Sequence, residues 1–219
     1  MKLLIASHNP AKIKEYKRYL SELSLWLVSL LDLNIKEEAP EDGKTFEENA
    51  INKAKFYQKL TGLSAIADDG GLMIDVLNGA PGVKSRHWLG YKWRRDKSLL
   101  YLHPALRDSM TDEEMIQSVI EKMKDIPEGK RTCHLVAVAA LAMPDGTIHT
   151  QQAQIDGLVA KAPTKKRLNG YPYRSFFYLP EFKKFYLELT DEEHEQINHR
   201  KFALLKLRPY LLELVKKYV

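Results

Sequence analysis

The sequence predicts an α/β protein, and three observations lead there. Apolar runs of strand length alternate with amphipathic helical segments through the first third of the chain. A turn signal, Pro144-Asp145-Gly146, joins two further apolar runs, and helix-capping patterns recur at Thr111 and Thr190.

Each element has a local cause. Lys2-Leu3-Leu4-Ile5-Ala6 is a short buried strand, followed by a polar turn at Ser7-His8-Asn9. Asn9 suits an N-cap and Pro10 a first helical position, and Ile13, Tyr16, Leu20 and Leu23 share one face of the helix that follows. Residues 25–33 form a second apolar segment, leading into an acidic loop with Glu37, Glu38, Glu41 and Asp42. Residues 46–60 make a second helix with Phe46, Ala50, Ala54 and Tyr57 inward. Ser64 to Ala67 is a third strand, Asp68-Asp69-Gly70-Gly71 a tight turn, and residues 72–77 a continuation; Pro81-Gly82 marks a loop. Thr111 and Glu114 form a capping box for a helix carrying Met115, Val119, Ile120 and Met123. Residues 132–143 and 147–159 flank the hairpin turn. Thr190 with Glu193 opens a helix running to about Asn198, and the Leu-rich segment from Lys201 is helical, with Pro209 kinking or dividing it. Residues 91–110, which include Trp93, Arg94, Arg95 and Tyr101, show no clean period. With no internal repeat or low-complexity linker, the simplest arrangement is one domain over 1–219, with two lobes around a long sheet.

The 219 residues are 44% hydrophobic and 29% charged, proportions of a globular chain that exclude disordered, collagen-like and coiled-coil classes. The longest uncharged apolar stretch, Leu135 to Met143, is far too short to span a bilayer, and Met1 to Ala6 is too brief for a signal-peptide core. A soluble cytoplasmic protein with no membrane partner is expected. The single cysteine, Cys133, cannot form an internal disulfide and reads as core. The net charge of +5 is concentrated from Arg200 to Val219, where six basic residues accompany one acidic residue. Such a tail suits a polyanionic partner, but it reads first as the solvated face of a terminal helix.

Several chemistries are excluded. Gly43-Lys44-Thr45 looks like the end of a P-loop, but Glu38 stands where its first glycine belongs and the preceding loop is acidic. There is no GxGxxG, HExxH or CxxC pattern, and His194 and His199 are poorly spaced for two metal ligands on one helical face.

What remains is a set of polar groups near strand ends, where α/β proteins place their sites. Ser7, the helix N-terminus at Asn9, and Lys12 could together receive an anion; they also read as an ordinary capped helix with a solvent lysine. Asn49 and Lys53 are one helical turn apart and share a face. Two adjacent carboxylates, Asp68 and Asp69, repel each other unless a cation compensates, and are suited to Mg²⁺; Asp-Asp-Gly-Gly is equally a simple turn. Lysines for phosphates, carboxylates for magnesium and a water to activate specify phosphoanhydride hydrolysis.

At this point four separated motifs resemble those of the inosine triphosphate pyrophosphatase family. They are Ala6-Ser7-His8-Asn9-Pro10-Ala11-Lys12 with Glu15; Thr45-Phe46-Glu47-Glu48-Asn49-Ala50 with Lys53-Ala54; Ala67-Asp68-Asp69-Gly70-Gly71-Leu72 through Asp75 to Gly79-Ala80-Pro81-Gly82-Val83 and Ser85; and Glu188-Leu189, Glu192-Glu193, His199-Arg200 and Ala203-Leu204. They lie in the family's order along the whole chain. The resemblance implies an elongated mixed β-sheet with flanking helices, two lobes around a nucleotide-binding cleft, a homodimer, and hydrolysis of non-standard purine nucleoside triphosphates to monophosphate and pyrophosphate. It implies that Ser7, His8, Asn9, Lys12 and Lys53 hold the triphosphate, that Asp69, supported by Asp68, accepts the proton of water, and that Glu41 and Asp69 hold Mg²⁺, with Glu38 a weaker candidate. Tyr171, Tyr173, Arg174, His194, His199 and Arg200 would face the base. Departures from the family pattern cluster there. Its ADDSGL serine is Gly70, its FGYD is Tyr171-Pro172-Tyr173-Arg174, its EEK lysine is His194 and its SHR serine is Asn198, and an insertion falls at about 91–110. Replacing an acid by Arg174 reverses the donor and acceptor preference for the base. The rival expectation is a nucleotide- or nucleic-acid-binding protein on the same scaffold with little turnover, or a pyrophosphatase with shifted base specificity; nucleic acid is not the expected partner.

Overall fold

The structure is a computed structural model that describes residues 2–88 and 110–217. The expected insertion therefore lies, but for Met110, outside the described residues. The strands are β1 (Lys2–Ile5), β2 (Trp26–Ser29), β3 (Ser64–Ile74), β4 (Thr132–Ala142), β5 (Ile148–Val159), β6 (Phe177–Leu179) and β7 (Lys184–Phe185). The helices are α1 (Pro10–Tyr19), α2 (Phe46–Thr61), α3 (Asp112–Met123), α4 (Asp191–Ile197), α5 (His199–Lys206) and α6 (Arg208–Lys217). One seven-stranded sheet runs in the order β2-β1-β3-β4-β5-β6-β7. It is mixed: β1 lies parallel to β2 and β3, whereas β6 is antiparallel to β5 and β7.

The chain divides into two compact units. The first comprises Met1–Gly70, Val136–Gln154 and Asn198–Val219; the second comprises Gly71–Leu135 and Ile155–Ile197. In the first, β1, β3 and β4 pack with α1, α5 and α6 around a core that includes Leu3, Ile5, Tyr16, Ile66, Leu204 and Leu211. In the second, α3 seats Ile116 and Val119 among Leu72, Ile74, Phe176 and Phe177. Cys133 is buried in that core, as expected of a structural cysteine, and burial pushes its thiol up. No helix among the described residues is long and apolar enough to cross a membrane.

Local signals account for most boundaries. Asn9 caps α1 by accepting from the Ala11 and Lys12 amides, Thr45 caps α2 through the Glu48 amide, and Thr111 with Glu114 completes the box at α3. Pro209 falls in the first turn of α6, where a missing N–H costs nothing, so the terminal segment divides at Leu207. One expectation fails: Asp68-Asp69-Gly70-Gly71 is not a turn. β3 runs straight through it as an eleven-residue strand, because pairing with β4 gives this glycine-rich backbone its ladder partners.

Candidate functional site

The first unit gathers the charged residues of three sequence motifs around the middle of β3. Lys12, one turn into α1, extends to Asp68, with Nζ 2.9 Å from Oδ2. Tyr16, one turn further, donates its hydroxyl to Asp68 Oδ1 at 2.9 Å. Sequence periodicity alone had marked Tyr16 as a core aromatic. It is one by burial, and its i+4 spacing from Lys12 was the available sign that both reach the same group.

Arg200, at the start of α5, closes this cluster. Its Nε donates to Asp68 Oδ2 at 3.1 Å and its Nη1 to Glu15 Oε2 at 2.6 Å. The resemblance assigns Arg200 to the base. In the structure it is buried and spends two of its donors on carboxylates of its own unit, and His199 beside it is buried as well. The excess charge of the terminal segment is correspondingly smaller at the surface, where Arg208 also pairs with Glu22 at 3.3 Å.

Helix α2 supplies further contacts to β3. Asn49 donates from Nδ2 to Asp69 Oδ2 at 2.9 Å. Lys53 donates to the Asp68 carbonyl at 3.4 Å and forms an ion pair with Glu41. The acidic loop that carries Glu41 is tied down at several points. His8 Nε2 donates to the Ile35 carbonyl at 3.0 Å, Tyr57 donates to the Glu37 carbonyl at 2.8 Å and accepts from the Ala39 amide, and the Gly43 amide donates to Asn49 Oδ1 at 2.8 Å. Nothing in the sequence marked Tyr57 as more than an inward aromatic. His8 and Asn9, expected at the triphosphate, have structural partners here, the loop backbone and the α1 amides, and Ser7 accepts from the Asn9 amide at 3.1 Å. Lys12 and Lys53 are the cations at the end of these supports, with side chains 20% and 14% exposed.

Neighbouring residues of a strand project to opposite faces, and the two aspartates diverge accordingly. Burial acts to raise the Asp68 carboxyl, but Lys12 and Arg200 outweigh it and hold the group far below the ordinary carboxylate range. Asp68 is thus a permanently ionised counterion neutralised by protein cations, and its charge does not require a metal. Asp69 behaves oppositely. Burial, with a further push from the negative charge of Glu41, raises its carboxyl despite Lys53 and the Asn49 hydrogen bond. Lys53 is held above its ordinary value because Glu41 and Asp69 outweigh its burial, whereas burial lowers Lys12. A carboxylate raised by desolvation beside a second carboxylate, with Lys53 the cation paired to that neighbour, is an environment that favours a divalent cation or a proton.

Gly70 follows Asp69 on β3. A Cβ there would lie 2.2 Å from the Val136 carbonyl oxygen and 3.0 Å from Ala137 Cα. The missing side chain therefore marks close approach of β4.

The remaining base-side candidates belong to the second unit. Arg174 is buried, with its guanidinium 4.0 Å from the Tyr171 ring centre and 4.8 Å from that of Tyr186. Tyr186 in turn shares a 2.9 Å hydrogen bond with His194 Nε2. Tyr171, Arg174, Tyr186 and His194 thus form one connected group, with His194 edge-on to Tyr186. Tyr173 packs into the hydrophobic core against Phe176.

The comparisons with known proteins agree with this reading of the motifs. Over 213 residues the chain is 33% identical to a dITP/XTP pyrophosphatase of Thermoanaerobacter pseudethanolicus, covering 97% of this chain and 98% of that one. It is 34% identical over 208 residues to a dITP/XTP pyrophosphatase of Bacillus subtilis, covering 95% and 96%. Among solved structures, a HAM1 protein from Coxiella burnetii superposes with a TM-score of 0.79 at 31% identity, covering 97% of this chain and 99% of that one. The Staphylococcus aureus Ham1 protein superposes with a TM-score of 0.77 at 28% identity, with the same coverage. Residues 3–210, which include every residue of the charged cluster around β3, match the Ham1 family, and the chain belongs to it.

Proposed function

We propose that the protein is a Mg²⁺-dependent nucleoside triphosphate diphosphatase that hydrolyses non-standard purine nucleoside triphosphates, ribo or deoxy, to the monophosphate and pyrophosphate. One observation carries the reading: Lys12, Lys53 and Asp69 converge on one segment of β3, two cations beside a carboxylate whose proton affinity is raised. The relatives named dITP/XTP pyrophosphatase support the substrate class.

In this reading Lys12 and Lys53 neutralise phosphate charge, which is where a polyanionic substrate gains most of its stabilisation. Asp69 takes the proton of the water that attacks the α-phosphorus, the bond from that phosphorus to the bridging oxygen breaks, and pyrophosphate leaves. A raised proton affinity suits a general base working near neutral pH. Asp68 stays ionised and aims Lys12. Glu41 and Asp69 fit a magnesium ion, because Mg²⁺ is commonly held by one or two carboxylates with substrate phosphates and water completing its shell, and each of these carboxylates raises the local need for positive charge. When bound, Mg²⁺ would neutralise charge that builds up on the phosphate oxygens. Tyr171, Arg174 and His194 are assigned to the base, and a cytoplasmic homodimer is the form that the family resemblance supports.

The test is a panel of ribo- and deoxynucleoside triphosphates, incubated with the full chain and Mg²⁺, with both phosphate products identified. Preferential release of pyrophosphate from dITP or XTP supports the proposal. Binding without turnover across the panel overturns it.

A further inference from the structure

Gly43-Lys44-Thr45, the false P-loop ending, has a use that the mechanism above leaves unexplained. Thr45 caps α2, and Gly43 lies against Asn49. Asn49 is buried, and both ends of its amide are committed: Oδ1 accepts from the Gly43 amide at 2.8 Å and Nδ2 donates to Asp69 Oδ2 at 2.9 Å. These partners fix which end is which, since a backbone N–H can only donate and an ionised carboxylate can only accept.

Gly43 cannot be replaced without moving this group. A Cβ there would stand 2.5 Å from Asn49 Oδ1, 2.9 Å from Glu48 Cβ and 3.0 Å from the Asn49 backbone nitrogen. Glu48 and the backbone sit in a capped helical turn, so the Asn49 amide would be displaced first. Among the described residues no donor reaches Asp69 Oδ1; the single side-chain hydrogen bond to this carboxylate is the one from Asn49. Fixing Oδ2 therefore decides where Oδ1 points.

We propose that Asn49 is a positioning residue for the reaction: its amide orients the Asp69 carboxylate and couples that orientation to the conformation of the acidic loop through Gly43. The loop also carries Glu41, which pairs with Lys53, so one buried amide sets the loop, the base and the neighbouring cation in register. The proposal rests on Asp69 being the proton acceptor.

The test uses the full chain with dITP and Mg²⁺ as the probe. Asn49→Asp keeps the shape and the acceptor for the Gly43 amide but turns the donor toward Asp69 into an oxygen. Misplacing a reacting group costs about tenfold to a hundredfold, so kcat should fall by that factor. The added carboxylate, buried 2.9 Å from Asp69, also lowers the thermal midpoint, so both constants are read well below it, and KM for dITP should rise by less than kcat falls. Gly43→Ala should lower kcat on its own, yet add little in the Asn49→Asp background, since both act through one amide. An Asn49→Asp protein with unaltered kcat, or losses that multiply in the double variant, overturns the proposal. If Asn49→Asp does not fold, Gly43→Ala with unaltered kcat overturns it alone. Activity surviving Asp69→Asn would remove the underlying reading; inactivity of Asp69→Asn beside full activity of Asn49→Asp would remove only this inference.

Discussion

Lys12 and Asp68 meet at 2.9 Å inside the first unit, with the carboxylate side chain only 2% exposed. Arg200 and Tyr16 complete its shell, so the charge is paired and hydrogen-bonded at every side the structure describes. Removing one member of such a pair strands the others in a dry environment.

Asp68→Asn should therefore cost about 3–5 kcal/mol of folding stability, since it leaves Lys12 and Arg200 uncompensated. The pH dependence has a definite sign. The folded-state carboxyl is depressed, so its contribution is fully present above the ordinary aspartate value of about 3.9 and is lost as pH falls through the lower folded value. Urea unfolding across acid pH should show a limb that is flattened in Asp68→Asn.

Gly70→Ser restores the family's residue and should nonetheless harm this chain. With the Val136 carbonyl 2.2 Å from where the Cβ would sit, β4 must move. A loss of about 1–3 kcal/mol is expected from overpacking, measured by thermal or urea unfolding. A stable Gly70→Ser protein would show that the approach of the strands is adjustable.

His134, on β4 in the second unit, lies between two carboxylates: Nδ1 is 2.7 Å from Asp156 and Nε2 is 2.9 Å from Asp75. Burial lowers its proton affinity, but Asp156 and Asp75 outweigh that and raise it overall. A raised folded value means that the contribution is fully present below the ordinary histidine value of about 6.5 and disappears as pH rises through the folded value. The midpoint of thermal unfolding should thus fall on going from acid to alkaline pH by more in the unaltered chain than in His134→Gln.

How much of this was legible without coordinates follows from how local each cause is. The caps at Asn9 and Thr111 act over three residues, and the helices they open are legible in the sequence. Asn49 and Lys53 were placed on one face by helical spacing, and both do reach β3. The path of the chain through Asp68-Asp69-Gly70-Gly71 was misread because a turn-like tetrapeptide cannot announce the strand that will pair with it. The resemblance gives Arg200 to the base, while its carboxylate partners in the structure, Asp68 and Glu15, lie 132 and 185 residues away, beyond the reach of any local pattern. The short strands β6 and β7 carry too few residues to show a period.

The two site lysines should separate on the alkaline side. Glu41 and Asp69 keep Lys53 charged above its ordinary range, while burial makes Lys12 the first to lose its proton as pH rises. The alkaline fall of kcat/KM should therefore follow Lys12 and move to higher pH in Lys12→Arg, whose guanidinium stays charged. Lys53→Ala should lower kcat by about a hundredfold or more at all pH values, as expected for loss of a preorganised charge at the phosphates.

The central claim is that Lys12, Lys53 and Asp69 act on one polyphosphate at its α-phosphorus. Its most direct test is early-time product analysis of dITP turnover, with Mg²⁺, by the unaltered chain and by Asp69→Asn. The expected result is dIMP and pyrophosphate in equal amounts, without early orthophosphate, and a rate for Asp69→Asn lower by a factor of about 10²–10⁴. Orthophosphate as the first product, or an Asp69→Asn protein as fast as the unaltered chain, would contradict the account.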